Sequence, residues 1–406
     1  MRNPAHSDLL PVHEALAVVL AHPAQLPTEE CPLSEARGRV LAEDLCADRP
    51  FPPFDRVTMD GIAIRFADFS AGIRNFINKG TQAAGQPPLV LESEGACLEI
   101  MTGAVLPAGA DTIIRYEDLR FEGDQVAVLT EEIEYGQNLH REGSDRRMGD
   151  VIVPSGQLLA AGEIGVAATV GKNSLRVRKM PRVAVISTGD ELVSVESVPL
   201  PHQIRSSNMY ALSAALQQMG VPTERLHFPD DPDVMRTGLN KCLRTFDAII
   251  LSGGVSEGAF DFIPGVLAEL QVEKLFHRVQ QRPGKPFWFG TWQQQCAIFA
   301  LPGNPVSAFL GIQKYFKAWL HQSLGLPPLR PSFAMLAEDY TFKPNLTYFL
   351  QVKLESTPDG LLRAYPRTGG GSGDLANLSD ADGFLELPAD ETHFRSGTVF
   401  PVLIYR

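Results

Sequence analysis

The sequence predicts a multidomain protein in which a central α/β domain with a mostly parallel sheet is combined with two small β domains and an extended N-terminal and connector region. Three observations support this α/β plus β class. The length of 406 residues corresponds to roughly two to four domains of ordinary size. Only the middle of the chain alternates apolar strands with amphipathic helices, which is typical of parallel βαβ units. Short β-type runs broken by glycine and proline lie on both sides of it.

The chain starts with an extended region, residues 1–45, that contains one helix. Apolar residues recur there at helical spacing, which predicts an amphipathic helix. These residues are Val12, Ala15, Leu16, Val19 and Leu20. We expect the region to pack with a connector, residues 139–178, in which a short helix is predicted around residues 163–170. The start of the chain lacks the basic segment and cleavage pattern of a signal peptide, so we expect a cytoplasmic protein.

Two segments of the chain predict small β domains. Residues 46–138 contain short β-type runs interrupted by glycine and proline, and they show no convincing helical period. The tail, residues 328–406, is again strand-like and glycine-rich. We therefore predict one β domain before the central α/β domain and one after it.

The central domain, residues 179–327, is predicted from its alternation of strands and helices. Three apolar runs predict buried strands over residues 182–187, 247–252 and 296–301. A helix is predicted over residues 208–219 between the first two strands. A second helix should begin after Asp231, because aspartate is a good N-cap and a proline follows at the first helical position. A long helix should follow the third strand and end near Leu320.

Composition excludes several classes of function. The chain carries 36 Lys and Arg against 48 Asp and Glu, a formal net charge of −12. Nonspecific binding to nucleic acid or to an anionic membrane needs clustered positive charge, so we expect neither partner. No apolar run is long enough for a transmembrane helix. The five cysteines are scattered and odd in number, which argues against disulfides and a zinc site and fits a reducing cytoplasm.

Polar, glycine-rich loops follow all three predicted strands. Ligands of open parallel sheets bind outside the carboxyl ends of the strands, and loops of this kind beside a helix start suit a phosphate or another oxyanion. Each loop alone is better explained as a plain strand-to-helix turn, but three at corresponding strand ends favour a binding site. The candidate residues are Thr188, Gly189, Asp190 and Glu191 in the first loop, Ser252, Gly253, Gly254 and Ser256 in the second, and Pro302, Gly303, Asn304, Pro305 and Ser307 in the third.

Charged residues gather in the same part of the chain. Carboxylates near a phosphate site commonly hold Mg²⁺, which prefers oxygen ligands, and a basic cluster suits a pyrophosphate and a second anion. A solvated charged hairpin is the alternative interpretation of the basic cluster. The acidic residues are Asp190, Glu191, Asp230, Asp231 and Asp261, and the basic ones are Arg278, Arg282 and Lys285.

Sequence motifs of several common enzyme classes do not occur in the chain. It contains no GxxxxGK[ST] and no GxGxxG, so neither a P-loop nor a dinucleotide-binding fingerprint is available.

Four motifs of the central domain, in this order and spacing, resemble the MoeA family of molybdopterin molybdotransferases, to which the gephyrin E domain belongs. They are VAVISTGDEL, IILSGGVSEG, RPGKPF and LPGNPVSAF. The resemblance continues outside that domain in FPPFDRVTMDGIAIR, EIMTGAVLPAGADTIIRYED, NLHREGSDRRMGDVIVPSGQLL and GGGSGDLANLSDADGFLELP. It covers essentially the whole chain.

The resemblance implies a fold and an activity. Proteins of this family are elongated homodimers with four domains per subunit, and the α/β domain is of the molybdopterin-binding type. Their active site lies at that domain and is completed by the β domain of the other subunit. They take adenylylated molybdopterin and molybdate, hydrolyse the adenylyl link with Mg²⁺ and release AMP as molybdenum cofactor forms. A molybdopterin adenylyltransferase and recipient molybdoenzymes are possible protein partners.

The resemblance also carries residue roles onto matching positions of this chain. Glu191, Asp230 and Asp261 are expected to act in catalysis and to hold the metal, and Asp60 is a further catalytic candidate. The other matching positions are expected to bind substrate. Outside the three loops these are Thr102, Asp145, Arg278, Arg282, Lys285 and Ser372.

Several positions depart from the family pattern, and they leave alternatives to an active transferase open. One alternative is a divergent paralogue that binds molybdopterin, or scaffolds cofactor assembly, without insertion chemistry. A weaker one is a molybdopterin adenylyltransferase, against which the extra β domains argue. The departing residues are Arg56, Val57, Ser206, Ala259, Phe260, Arg278, Gln281, Arg282, Leu346 and Gln351.

Overall fold

The computed structural model describes residues 9–255 and 262–406, and its first element is the predicted amphipathic helix. Helix α1 (Val12–Leu20) buries Val12, Ala15 and Val19, the apolar face that a period of 3.6 residues places together. The helix prediction is confirmed. Strands β1 (Thr28–Pro32) and β2 (Leu45–Cys46) follow, with a 3₁₀ turn at Leu33–Glu35 between them.

The next segment forms a six-stranded sheet with an apolar cluster on each face. Alternate residues of a strand point to opposite faces, and accordingly Ala63 joins one cluster while Ile62 and Ile64 join the other. One helix of five residues lies where the sequence predicted none, because a helix this short has no periodic pattern to detect. The elements are β3 (Arg56–Val57), β4 (Gly61–Ile64), α2 (Phe66–Ser70), β5 (Asn75–Gln82), β6 (Ala96–Ile100), β7 (Thr112–Arg115), β8 (Leu119–Glu122) and β9 (Gln125–Val128), with sheet order β7-β4-β6-β5-β9-β8.

The connector pairs with elements that lie far before it in the chain. It contains β10 (Leu139–His140), β11 (Val151–Val153), α3 (Ala161–Thr169) and β12 (Ser174–Arg178). Strand β12 runs antiparallel to β1, β11 pairs with β2, and β10 pairs with β3. These pairings join the connector to the N-terminal region and to the start of the first β segment. The predicted connector helix is confirmed.

The central segment contains the three predicted strands within one residue of their expected bounds. Its elements are β13 (Val183–Thr188), β14 (Leu192–Val193), β15 (Ile204–Arg205), α4 (Asn208–Gln218), β16 (Thr223–Phe228), α5 (Pro232–Leu243), β17 (Ala248–Ser252), α6 (Ile263–Glu269), β18 (Glu273–His277), β19 (Gln281–Arg282), β20 (Trp288–Trp292), β21 (Cys296–Leu301), α7 (Pro305–Gly311) and α8 (Lys317–Ser323). The predicted long helix is the run from α7 to α8, which a π-helical turn at Ile312–Phe316 interrupts.

The central sheet is mixed, so the expectation of a mostly parallel sheet is not confirmed. Its order is β16-β13-β17-β21-β20-β18. The first four strands are parallel, whereas β20 runs antiparallel to both β21 and β18. Gln293 and Gln294 adopt positive φ in the turn between β20 and β21, which is the geometry of a tight hairpin. A hairpin connects antiparallel strands only, because parallel strands need a long crossover.

Helices cover both faces of the central sheet. Val183 and Val185 of β13 pack into a cluster with α1, α4, α7 and α8, and Ala184 and Ile186 pack into one with α5 and α6. A sheet buried on both faces needs continuous apolar strands, and such runs allowed these strands to be predicted from the sequence.

The C-terminal segment forms another six-stranded sheet, and one strand of the central segment joins it. Its elements are β22 (Ser332–Leu336), β23 (Tyr340–Thr341), β24 (Thr347–Ser356), β25 (Leu362–Pro366), α9 (Asn377–Asp380), β26 (Gly383–Leu387), β27 (His393–Phe394) and β28 (Val399–Ile404). Strand β19 pairs in parallel with β24, with Arg282 opposite Tyr348. This pairing sets the RPGK loop against the C-terminal sheet. No helix of the described residues has the length and apolar character that a membrane span requires.

Candidate functional site

The three polar loops meet at one edge of the central sheet. Strands β13, β17 and β21 are parallel neighbours, with Ser187 opposite Ser252 and Ser252 opposite Leu301. Their carboxyl ends therefore lie side by side. Thr188 and Ser252 are buried there, so their hydroxyl groups belong to the interior of the site and not to its rim.

Asn208 ties these loops together, although the sequence marked it only as a helix start. Its Nδ2 donates hydrogen bonds to Ser252 Oγ at 2.9 Å and to the Gly303 carbonyl oxygen at 2.6 Å. One amide thus fixes the β17 loop against the β21 loop. An asparagine at the first turn of a helix that packs on the sheet is the signal that could have identified it.

A cavity of about 220 Å³ opens at this edge. Six predicted residues line it: Thr188, Glu191, Ser252, Gly253, Gly303 and Pro305. Gly373, which was not predicted and follows the predicted Ser372, lines it as well. Ser206, Ser207 and Asn208 line the same cavity. We refer to it as the strand-end cavity.

The glycines of two loops are required by their backbone conformation, and both lie close to neighbouring side chains. Gly189 has φ +129, and a Cβ there would collide with the Glu191 carboxylate. Gly254 has φ +66, and a Cβ would approach Ile263 Cδ1 at 2.8 Å. Both positions combine positive φ with close neighbours, so a larger residue would be strained and would displace the loop.

The acidic loop and the turn before α5 are in contact. The Asp230 backbone N–H donates to Asp190 Oδ1 at 3.2 Å, which brings the loop of Glu191 against the Asp230 turn. Asp231 is instead structural: its Oδ1 accepts from the backbone N–H groups of Asp233 and Val234 at 2.9 and 3.0 Å, so the predicted N-cap is confirmed. The predicted Ser256 and Asp261 lie outside the described residues. Within the described ranges, no cluster of three or more metal-ligating side chains occurs.

A second cavity, of about 730 Å³, lies between the central segment and the C-terminal sheet. We refer to it as the interdomain cleft. Ser372 joins its two sides, because its Oγ accepts from Asn304 Nδ2 at 3.0 Å and its carbonyl oxygen accepts from the Val306 N–H at 3.1 Å. The predicted residues that line the cleft are Arg282, Lys285, Pro302, Asn304, Ser307 and Ser372.

Two residues that line the interdomain cleft were not predicted as site residues. Arg367 was not identified from the sequence, and Gln351 was identified only as a departure from the family pattern. Arg367 adds a third cationic side chain beside Arg282 and Lys285. Gln351, where the resembling family often has arginine, is 9% exposed, and its Nε2 has no hydrogen-bond partner among the described residues. Buried polar groups are almost always paired. The unpaired amide beside a cation-lined cleft is therefore a candidate donor to an anionic ligand.

Gln281 holds the RPGK loop from within. Its side chain is 1% exposed, and its Nε2 donates to the carbonyl oxygens of Pro283 and Gly284 at 3.1 and 3.3 Å. The buried Tyr315 hydroxyl donates to Gln281 Oε1. The sequence marked Gln281 only as a departure from the family pattern, and the structure gives it this anchoring role.

The structure separates Arg278 from the other two predicted cations. Arg278 has φ +87, its N–H donates to the Phe287 carbonyl oxygen at 2.9 Å, and its carbonyl oxygen accepts from the Leu10 N–H at 3.2 Å. Among the described residues, Arg278 contributes to neither the strand-end cavity nor the interdomain cleft.

Asp60 and Thr102 form a rigid pair on the first β segment. Asp60 Oδ1 accepts from the Thr102 backbone N–H at 2.6 Å and from Thr102 Oγ1 at 2.7 Å. These two hydrogen bonds lower the pKa of the Asp60 carboxyl below its usual value, because both stabilise the charged form. The exposed carboxylate is thus kept ionised and oriented.

Asp145 belongs to a second polar chain, which links the connector to strand β3. Arg56 Nη2 lies 3.2 Å from His140 Nδ1, and His140 Nε2 lies 2.8 Å from Asp145 Oδ1. Because arginine only donates, Nδ1 accepts and Nε2–H donates to Asp145 in the neutral imidazole. In the described part of the chain, neither Asp145 nor the Asp60–Thr102 pair lines the two cavities of the same chain.

Family models match almost the whole chain in three consecutive pieces. The MoeA N-terminal region (domain I and II) matches residues 10–171, the probable molybdopterin binding domain matches residues 184–322, and the MoeA C-terminal region (domain IV) matches residues 334–405.

Curated proteins and solved structures agree with these matches. A molybdopterin molybdenumtransferase of Synechocystis sp. is 39% identical over 97% of this chain and 99% of its own. One of Synechococcus elongatus is 34% identical over 96% of this chain and 98% of its own. The crystal structure of a molybdopterin biosynthesis MoeA protein from Pyrococcus horikoshii OT3 has a TM-score of 0.83 at 27% identity, covering 98% of this chain and 100% of that one.

Proposed function

The chain belongs to the MoeA family, and we propose that it inserts molybdate into adenylylated molybdopterin with release of AMP. The observation that carries this proposal is that residues of one loop, the PGNP loop, line both cavities. Gly303 and Pro305 line the strand-end cavity, and Pro302 and Asn304 line the interdomain cleft. Two ligands bound in these cavities would meet at the PGNP loop, as a reaction between a nucleotide-linked substrate and a second anion requires.

The two cavities suit different ligands. The strand-end cavity offers hydroxyl groups and backbone at the carboxyl ends of parallel strands, which suits the adenylyl phosphate. The interdomain cleft offers Arg282, Lys285 and Arg367, and the planar fork of arginine grips an oxyanion at two points. We therefore assign molybdate to the interdomain cleft, with Gln351 Nε2 as an additional donor.

Glu191, Asp230 and Asp261 are the residues that would hold Mg²⁺. The donors are all carboxylate oxygens, which Mg²⁺ prefers, and the hydrogen bond between the Asp230 N–H and Asp190 Oδ1 supports a shared site by keeping the two loops adjacent. When bound, Mg²⁺ would neutralise charge on the phosphates during hydrolysis. A carboxylate oxygen not used as a ligand can accept a hydrogen bond from the water that attacks the adenylyl phosphorus.

We also propose that the site is completed across a homodimer. Asp60 and Thr102 lie on the first β segment and Asp145 lies in the connector. All three are outside both cavities of their own chain in its described part, while they match family positions expected to act on substrate. A partner subunit would bring this face to the cavities. We further propose a cytoplasmic location, with a molybdopterin adenylyltransferase and recipient molybdoenzymes as possible transient partners.

The activity is tested by incubating the purified protein with adenylylated molybdopterin, molybdate and Mg²⁺. We expect AMP release together with molybdenum cofactor formation, and we expect Glu191→Ala to abolish AMP release without unfolding the chain. Glu196→Ala is the matched control, because Glu196 is an exposed carboxylate in the same loop region and does not line the described part of either cavity. Tight binding of the substrate by the wild type without AMP release would instead establish the scaffold alternative.

The shared site is tested by complementation. Mixed dimers of Glu191→Ala and Asp60→Ala chains contain one intact site if the two residues come from different subunits. Random assembly of the two inactive variants should then restore about a quarter of wild-type activity, because half of the dimers are mixed and half of their sites are intact. No recovery, or a stable monomer in sedimentation, would refute the shared site.

A further inference from the structure

We propose that Ser206 and the first turn of helix α4 form an oxyanion subsite in the strand-end cavity, and that this subsite holds a phosphate group of the adenylylated substrate. The inference rests on the proposed function. It adds a binding element at a position where the chain departs from the family pattern.

The Ser206 hydroxyl is buried and unpaired. Ser206 is 8% exposed, and its Oγ has no hydrogen-bond partner among the described residues. It lines the strand-end cavity, and its backbone N–H donates to the Val193 carbonyl oxygen at 3.0 Å. The backbone of the residue is thus held in place, and its buried hydroxyl would reach a ligand by rotation of the side chain about χ1. A buried hydroxyl without a partner is costly, and a ligand oxygen in the cavity would remove that cost.

The N-terminus of helix α4 opens on the same cavity without a cap. Ser207 is the N-cap residue, and no side chain of the described residues makes a capping hydrogen bond there. Asn208, which could have capped the turn, directs its Nδ2 to Ser252 and Gly303 instead. Helix α4 has 11 residues, so its free N–H groups and dipole favour an anion at this end. Helix α5 differs, because the Asp231 side chain caps it.

The charge at position 206 matches an anionic ligand. The resembling family frequently has aspartate here. Glu191 already supplies one carboxylate to this cavity, whose charge Mg²⁺ would neutralise, and a further carboxylate without a cation would repel the phosphate. The neutral Ser206 hydroxyl donates a hydrogen bond instead. Arg205 also lines the cavity and adds positive charge next to this position. The subsite thus combines a hydroxyl donor, uncapped helix N–H groups and one cation.

Calorimetric titration of the full-length protein with AMP, adenosine and molybdate tests the subsite. We expect Ser206→Ala to weaken AMP binding about tenfold and Ser206→Asp about a hundredfold, as hydrogen bonds to charged groups predict. Adenosine lacks the phosphate, so its affinity should be the same in the wild type and both variants. Molybdate is assigned to the other cavity, so its affinity should also be unchanged. Loss of molybdate binding with unchanged AMP binding would overturn the assignment.

Ser213→Ala is the matched control. Ser213 lies on the same helix, its Oγ is also unpaired among the described residues, and it does not line the described part of the strand-end cavity. It should bind AMP like the wild type, and Ser206→Thr, which keeps a hydroxyl, should retain most of the affinity. Unchanged AMP affinity in Ser206→Asp, in a protein that still releases AMP, would refute the subsite alone. A folded wild type that neither binds nor releases AMP would refute the proposed function.

Discussion

Gln281→Leu tests whether a single buried amide holds the cation-bearing loop of the interdomain cleft. The substitution restores the aliphatic character common in the family and keeps a similar volume. It removes two hydrogen bonds that Gln281 Nε2 donates, to the carbonyl oxygens of Pro283 and Gly284, and one that its Oε1 accepts from Tyr315. The loop between β19 and β20 then loses its internal anchor.

The loss of unfolding free energy in Gln281→Leu follows from the number of buried polar groups that lose their hydrogen-bond partners. Tyr315 is fully buried, so its hydroxyl loses its partner without access to water, and two backbone carbonyls lose their donors. At about 1–3 kcal/mol for each buried group left unpaired, partly relieved by loop movement, we expect a loss of about 3–5 kcal/mol. Tyr315→Phe alone should cost about 1–2 kcal/mol, because only Gln281 Oε1 is orphaned. The double variant lacks the orphaned hydroxyl and should be about 2 kcal/mol more stable than the sum of the single effects predicts.

Urea unfolding followed by tryptophan fluorescence measures this cycle. The chain has 3 tryptophans, and all of them, Trp288, Trp292 and Trp319, are buried in the central segment. The signal therefore reports on the part of the protein that contains Gln281. Molybdate affinity should fall in Gln281→Leu, since Arg282 and Lys285 lie on the loosened loop, while AMP affinity should not. Single effects that add to within about 0.3 kcal/mol would refute the anchor, because independent sites are additive to that extent.

Three further predictions address other parts of the molecule. Thr102→Val should raise the pKa of the Asp60 carboxyl toward 3.8, its ordinary value, as measured by carboxyl NMR titration. The stability that the lowered pKa contributes is present above pH 3.8 and is lost as pH falls through the lowered value, so wild type and variant should differ above that range and converge below it. Under native conditions a thiol reagent should modify one cysteine per chain, the exposed Cys46, because burial raises the pKa of the other four thiols. Cys46→Ser should show no modified thiol. Five reactive thiols in the native state would contradict the burial of the other four. Asn208→Ala should raise the KM for the adenylylated substrate about tenfold, since two hydrogen bonds between loops are lost, and an unchanged KM would show that the loops are held without it.

Local pattern made much of the fold predictable. The strands β13, β17 and β21 are continuous apolar runs because both faces of their sheet are covered. The start of α5 could be predicted from Asp231 and the following proline, because an N-cap involves only residues within one turn of each other in the sequence. The glycine-rich loops could also be predicted, because each one directly follows its strand in the sequence. The loops lie close together because neighbouring parallel strands end at the same edge of the sheet.

The arrangement of the site was decided by contacts between distant segments. The sequence predicted one polar site, whereas the structure divides the predicted residues between a strand-end cavity and an interdomain cleft. The pairing of Arg282 with Tyr348 sets that division, and no local pattern encodes a pairing across more than sixty residues. The antiparallel edge of the central sheet likewise depends on a short hairpin with two glutamines at positive φ. Glutamine is not a typical turn residue, so the sequence did not predict this hairpin.

The sequence by itself determined the family, the order of the strands and helices that carry the loops, and the types of residue available for anion and metal binding. Only the tertiary structure decided which of those residues share a cavity. It gave contacts and a proposed role to Ser206, Gln281 and Gln351, which the sequence marked only as departures from the family pattern, and it added Asn208. The physical reason is that periodicity and capping are properties of neighbouring residues. Whether a buried polar group has a partner depends on the whole fold around it.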